Sequence, residues 1–381
     1  MVTRTILSSV CWSLLIFLFS PIYDVVPLTF AEESANSQAQ PSSGQLRSTN
    51  TVQLKRLSFP IQLSDETNQH IAGFLYFDRQ NLKVCHEKKP YSRVVKCIKK
   101  RSLRNQTLQV LVHGFTYNHA YWDPPKKKLP NHSYARFMAK KGYPVLALDL
   151  LGTGASSFPD GDFLNIKQSM FSLAQVLSTT RSLPNPLGNT FNRIVLVGHS
   201  VGTLLAVLTT GTNPGITDLL VATGWSFSPH VVPLSPELIT ASLATPYIRF
   251  PSPVREELFY FTPSAKQSVI KRDNRFLADQ FSRGVLVEGI PLLNALALGD
   301  LQTIQDLTQI HQIKVPVLVQ LGRFDKISPP LMPEVDAQLY KGSPDVQVDI
   351  LEKMGHSFNL HRNRLDSWRG INRWITQRIV K

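Results

Sequence analysis

Cysteine is scarce in this chain, three residues in 381, and no two have the two-residue spacing of zinc ribbons or of thiol–disulfide redox sites. His119, His132 and His230 are scattered rather than set at ligand spacing, so no metal and no organic cofactor is expected. Glycine and proline (20 and 26 residues) follow no period, which excludes collagen-like repeats, and no other internal repeat is present. With 43% hydrophobic and 18% charged residues, the chain is neither a disordered polyelectrolyte nor a multi-span membrane protein. Acidic residues are the other shortage: 27 Asp and Glu stand against 41 Lys and Arg, a formal charge of +14. Such an excess raises nucleic acid, an anionic membrane or an acidic polymer as partner. The basic residues concentrate in residues 83–104, where only Glu87 opposes them, and again from Arg362 to Lys381. Neither stretch carries a nucleic-acid-binding signature or an interleaved aromatic platform, so no nucleic acid is expected. A solvated basic face and a contact with an anionic surface through residues 83–104 are the two readings left.

The N-terminus has Arg4, an apolar run from Ile6 to Phe19, Pro21, and a weaker run ending at Phe30-Ala31 before Glu32-Glu33. This is the pattern of a secretory signal peptide (residues 1–31) cleaved after Ala31; an uncleaved anchor is the rival reading. Cleavage would remove Cys11 and leave the even pair Cys85 and Cys97, suited to one disulfide in an exported protein. Closing that short loop would contribute about 3 kcal/mol in the chain-entropy model. A Ser-, Gln- and Asn-rich linker (residues 32–50) follows, too polar to pack, and the folded domain is expected over 51–381. Asn105-Gln106-Thr107 and Asn131-His132-Ser133 are glycosylation sequons that matter only in a eukaryotic source cell.

Eight apolar or β-branched runs predict strands: Val52–Leu63, Ile71–Phe77, Leu108–Val112, Pro144–Asp149, Arg193–Val197, Asp218–Thr223, Val315–Leu321 and Val346–Leu351. From the third onward they alternate with helical spacing over Ser133–Lys141, Ile166–Arg181, Val201–Thr209, Pro333–Tyr340 and Arg362–Val380. Apolar strands alternating with helices predict an α/β fold, a mostly parallel eight-stranded sheet with helices on both faces, after an antiparallel start. Between about 229 and 310 the alternation stops. A helical, aromatic-rich stretch with Tyr247, Phe250, Phe259, Tyr260 and Phe261 intervenes and is expected to be an inserted cap.

The strand at Arg193–Val197 runs into Gly198-His199-Ser200-Val201-Gly202 and at once into helical spacing. A G-x-S-x-G turn between strand and helix lifts a strained serine into a cleft, and its glycines let the backbone pack closely around it. A serine hydroxyl is a poor nucleophile without a base, and the base needs an orienting acid, in the chain order Ser, Asp/Glu, His. Asp325 ends one late strand within Gly322-Arg323-Phe324-Asp325, and His356 follows the last within Gly355-His356-Ser357, preferred over His361 because it follows the glycine turn. The backbone N–H groups of Phe115 and Val201 are the expected oxyanion donors. His113 is expected to brace that loop. Tyr117 is either a donor to the pocket or a core residue, and Trp225 and Phe227 either line an apolar substrate mouth or belong to the core.

These pieces, with Asp149-x-x-Gly152-x-Gly154-x-Ser156, resemble the α/β-hydrolase superfamily over about Thr51 to Lys381. Within it, residues 113–123 and 354–363 are similar to secreted members. Serine at the elbow departs from the dehalogenases and epoxide hydrolases of that superfamily, which use aspartate. The resemblance implies a secreted serine hydrolase acting on a carboxylic ester, with a small-molecule or lipid substrate. Lactonase, amidase, thioesterase and carbon–carbon hydrolase chemistry use the same residues, and a binding module would keep them without turnover. The basic insertion between the second and third strands departs from the superfamily pattern.

Overall fold

Apolar side chains at every second residue of a strand supply one face of a sheet and continuous apolar runs supply both, and here both faces are covered. The computed structural model describes residues 51–79, 82–86, 94–98, 104 and 106–379. The expected leader and linker (residues 1–50) lie outside them. The chain divides into Met1–Ser48 and Thr49–Lys381, and the fold is that of the second unit.

Val52–Gln62 (β1) and Asn68–Asp78 (β2) pair antiparallel over their whole length. Leu82–His86 (β3) and Val94–Ile98 (β4) form a separate ribbon inside the basic insertion, a feature the apolar pattern does not mark. Its register sets Cys85 opposite Val95 and Cys97 opposite Lys83. Then come Thr107–Val112 (β5), Tyr134–Lys140 (α1), Val145–Leu148 (β6), Ile166–Arg181 (α2), Arg193–His199 (β7), Val201–Thr212 (α3) and Leu219–Thr223 (β8). The intervening segment holds Pro236–Leu243 (α4), Tyr247–Ile248 (β9), Ser252–Phe259 (α5), Gln267–Phe276 (α6), Phe281–Ser282 (β10), Arg283–Leu298 (α7) and Leu301–Thr308 (α8). Val317–Gly322 (β11), Pro333–Leu339 (α9), Val346–Leu351 (β12) and Arg364–Ile379 (α10) complete the chain.

The eight-stranded sheet has the order β1-β2-β6-β5-β7-β8-β11-β12, parallel from β6 onward and antiparallel at β1, β2 and β6. Its strands are the eight apolar runs. Every residue of β5, β6, β8 and β11 is buried. Along β7, Ile194 and Leu196 join one core with Leu173 and Val176 of α2 and Leu204 of α3. Val195 and Val197 face the other, with Met138 of α1 and Trp368, Ile371 and Ile375 of α10. Each such side chain contributes roughly 1.5–3 kcal/mol on burial. The pair β9–β10 is two residues long on each side, too short to leave a periodic signal.

The sheet grows first toward β6 and then reverses to β7, so β5 lies at the reversal. Crevices at such points, beyond the C-terminal strand ends, are where open α/β sheets bind ligands. Val112 pairs with Gly198, which brings the loop after β5 beside the turn after β7. Gly322 pairs with Leu351, so the turns after β11 and β12 open on the same edge of the sheet.

Candidate active site

Ser200 sits at the cap position of α3 with φ 55° and ψ −127°, a left-handed backbone that costs a non-glycine residue of order 1–3 kcal/mol. The neighbouring packing enforces it. A Cβ on Gly198 would fall 2.5 Å from the Gly202 carbonyl oxygen, and one on Gly202 would fall 2.4 Å from that of Val112. The turn is further pinned by the Ser200 N–H donating to the Thr223 carbonyl (2.9 Å).

The Ser200 hydroxyl lies 2.9 Å from His356 Nε2. The other ring nitrogen, Nδ1, lies 2.9 Å from Asp325 Oδ2. Asp325 Oδ1 accepts from the Ile327 and Ser328 N–H groups (2.9 and 3.0 Å), so the carboxylate is held from both sides. All three side chains are buried. The residues singled out as nucleophile, base and acid are thus brought into one hydrogen-bonded line from three separate strand ends. Asp325 accepts a hydrogen bond from Nδ1–H, the tautomer that leaves Nε2 as the acceptor facing the serine.

Gly114 abuts this line: a Cβ there would meet Ser200 Cβ at 2.7 Å. The loop is fixed by His113, whose Nδ1 donates to the Gly114 carbonyl (2.9 Å) while Nε2 accepts from the Leu150 N–H (3.1 Å). Val201 is the first residue of α3, where N–H groups have no intrahelical acceptor. Asp149 accepts from the N–H (2.7 Å) and ring Nδ1 (2.7 Å) of His119 and from the Ala155 N–H (2.8 Å). Burial pushes this carboxyl up, but those bonds and His119 outweigh it and hold it below the usual range. His119 is therefore a partner of the loop after β6. Among the described residues, no group of three or more His, Cys, Asp or Glu is placed to hold a metal ion.

Two apolar cavities of about 30 Å³ flank Phe115 and Val201, roofed by Val285 of α7. Trp225 lines one of them. Phe227 does not; its ring packs in the core against Tyr340. Tyr117 is likewise not free to serve the pocket, because its hydroxyl is engaged by Ser357 Oγ (2.8 Å) and Asp273 Oδ2 (3.1 Å).

That last contact belongs to a group the motifs do not reveal. Arg255 of α5 and Asp273 of α6 form a fully buried ion pair at 2.8 Å. Asp273 Oδ2 also accepts from Tyr260 (2.7 Å), and Arg255 donates to Thr116, through its carbonyl (3.0 Å) and its hydroxyl. The pair ties the segment above the sheet to the loop of Phe115 and, through Tyr117, to Ser357 beside His356. The signal in the sequence is weak but real: Asp273 is four residues from Val269 and Leu277, and Arg255 four from Phe259, so opposite charges occupy apolar stripes.

His361, the competitor of His356, braces the loop instead. Its Nε2 accepts from the N–H groups of Gly355 and Phe261 (3.1 Å each), and Nδ1 donates to the Ser357 carbonyl (2.9 Å). Burial outweighs the Ser357 carbonyl and lowers its pKa to about 4; burial lowers His113 too, and His199 further. The unfolded chain takes up these protons near 6.5 and the fold does not, so stability falls as pH drops from 6.5 toward 4. For His361 alone the loss reaches about 3 kcal/mol at the bottom of that window. Urea midpoints measured from pH 7 to 4 check this, and a midpoint that climbs on acidification through the window contradicts it.

The fold agrees with comparisons against known proteins. Solved structures similar to the chain include a monoacylglycerol lipase of Paleococcus ferrophilus (18% identity, TM-score 0.52, covering 78% of this chain and 98% of that one). A thermophilic esterase of Thermogutta terrifontis (18%, 0.51, 85% and 98%) and a putative lipase of Acinetobacter baumannii (18%, 0.52, 87% and 94%) are also similar. At this identity the likeness speaks to the fold. No curated protein sequence matches. The alpha/beta hydrolase family model matches residues 109–365, which spans β5 to α10 and takes in Ser200, Asp325 and His356, and the chain belongs to that family.

Proposed function

We propose that this hydrolase cleaves a carboxylic ester with an apolar acyl part through an acyl-enzyme intermediate. The observation that carries the reading is the Ser200–His356–Asp325 line set beside the Gly114–Phe115 loop. Ser200 Oγ attacks the ester carbonyl while His356 Nε2 takes its proton, and Asp325 keeps the Nδ1 tautomer and steadies the imidazolium. The N–H groups of Phe115 and Val201 stabilise the oxyanion. His356 returns the proton to the leaving alcohol, then takes one from water, whose oxygen attacks the acyl carbon; the acid is released as His356 gives that proton to Ser200 Oγ.

The apolar cavities beside Phe115 and Val201 support an acyl rather than a charged group there, since such walls contribute affinity by burying hydrocarbon. The test is turnover of p-nitrophenyl esters from acetate to palmitate, with Ser200→Ala as control. Turnover that disappears in the control supports the reading; turnover that survives it sinks the reading, and turnover of lactones or amides alone moves the bond type. Replacing Trp225 with Ala removes one wall and should shift the optimum to a longer acyl chain. An unchanged chain-length profile would place the acyl group elsewhere.

Export by a leader at residues 1–31 and a Cys85–Cys97 disulfide belong to the same proposal, resting on the N-terminal pattern and the even cysteine pair. Thiol titration of the unfolded, secreted protein should find neither cysteine free.

A further inference from the structure

Outside the Ser200 site lies a larger cavity of about 470 Å³, walled by residues 129–132, the start of α6 and the segment 360–364. Four cations line it: Lys266, Arg272, Arg362 and Arg364. Some arginines elsewhere on this surface find carboxylates, as Arg136 does with Asp123, Arg181 with Asp218, Arg283 with Asp162 and Arg378 with Asp345. Among the described residues, none of the four pocket cations has an ion-pair partner within 4.0 Å, and no carboxylate lines the cavity.

Like charges gathered at one concavity repel, and the arrangement here adds to that cost. Lys266 occupies the N-cap of α6, the end of a helix that disfavours a cation. Arg364 is half-buried and already oriented: Nε donates to the Asn131 carbonyl (2.8 Å), Nη1 to that of His361 (3.3 Å), and its guanidinium lies 5.7 Å from the Trp368 ring centre. His132, in the same wall, is lowered to about 4 by burial and by the charges of Arg364, Lys266 and Arg272. A concavity whose cationic charge meets no carboxylate is the arrangement that attracts a multiply charged oxyanion, and Lys266, Arg272 and Arg362 are exposed and able to turn toward one. A single carboxylate would leave most of the charge unmatched, whereas a phosphate monoester carries about −1.5 to −2 at neutral pH.

We infer that this cavity is a binding site for a phosphate-bearing anion, separate from the ester site. The volume exceeds that of a bare phosphate and leaves room for an attached group within the roughly 300–1,000 Å³ usual for ligand pockets. Neither Ser200, Asp325 nor His356 lines it, so binding is measurable whether or not the chain hydrolyses esters.

The test is calorimetric titration of the full chain with inorganic pyrophosphate at low ionic strength. The wild type is compared with Arg272→Gln/Arg362→Gln and with Lys314→Gln/Lys341→Gln, which removes equal charge from exposed positions at the opposite edge of the sheet. One-site binding that weakens at least tenfold in the first variant and less than twofold in the second supports the site. No saturable binding by the wild type, or equal weakening in both variants, overturns it. Phosphatidylcholine vesicles with and without phosphatidic acid distinguish the sources. Sedimentation of the chain with the acidic vesicles, lost in the pocket variant alone, assigns a lipid head group; pyrophosphate binding without vesicle binding assigns a free phosphorylated ligand.

Discussion

Ser200→Ala should lower kcat for an ester substrate by about 10⁶-fold, and His356→Ala by a similar factor, because either change removes the nucleophile–base unit. Asp325→Ala should cost less, about 10⁴-fold, since the carboxylate only orients and steadies the ring. The Ser200→Ala/His356→Ala double variant should be no worse than either single one, as residues that act together lose their effect together. Alanine keeps the Cβ and inherits the same backbone angle of 55°, so the loss reports chemistry rather than a collapsed turn. Steady-state kinetics on the three single variants and the double one, with urea midpoints to verify folding, measure this. Activity above about 1% of wild type in Ser200→Ala would show that another group attacks the substrate.

The second large effect is expected at the buried ion pair. Arg255→Met should destabilise the fold by about 3–5 kcal/mol, because Asp273 is then left in a buried site with only hydroxyl partners and no opposing charge. Its Oδ1 already has no hydrogen-bond partner. In the wild type, burial lowers the Arg255 pKa but the Asp273 carboxylate outweighs it and holds the guanidinium protonated far above neutrality, so Arg255 carries its charge inside the fold. Removing both charges in Arg255→Met/Asp273→Leu should recover most of the loss, as apolar replacements of buried pairs often do. The double variant should still have a lowered kcat, because Arg255 no longer holds Thr116 next to Phe115. Urea unfolding of the single and double variants decides it; a single variant within about 1 kcal/mol of wild type would mean the pair contributes no more than a surface one.

The unequal visibility of these two sets of residues has a physical cause. Ser200 is legible because strand, glycines and helix are local, and each imposes its own spacing within about twenty residues. Asp325 and His356 are legible because the order of strands fixes where their turns must emerge. The eight sheet strands are legible from their apolar runs: β5, β6, β8 and β11 are buried throughout and mostly apolar, with Gln109 and Gln320 among the exceptions. Arg255 and Asp273 are not, since a charge inside is recognised only once its partner and the wall of Tyr117 and Tyr260 are known. Phe227 and Trp225 are two residues apart and equally aromatic, yet only Trp225 reaches a cavity, a difference set by the path of the chain after β8. The ribbon β3–β4 escaped the apolar pattern because its stretch is dominated by basic residues.

The hydrogen-bonded line joins residues far apart along the chain: Ser200 and His356 are 156 positions from each other. A ribosome delivers Ser200, its elbow and the Phe115 loop well before the last edge strand β12 and the histidine beyond it. The growing chain therefore carries a serine with no base to activate it, and its hydroxyl stays as inert as that of any free serine. On the proposed mechanism, activity requires β12 paired with β11 and the histidine beyond it, so a product truncated before β12 is expected to lack esterase activity.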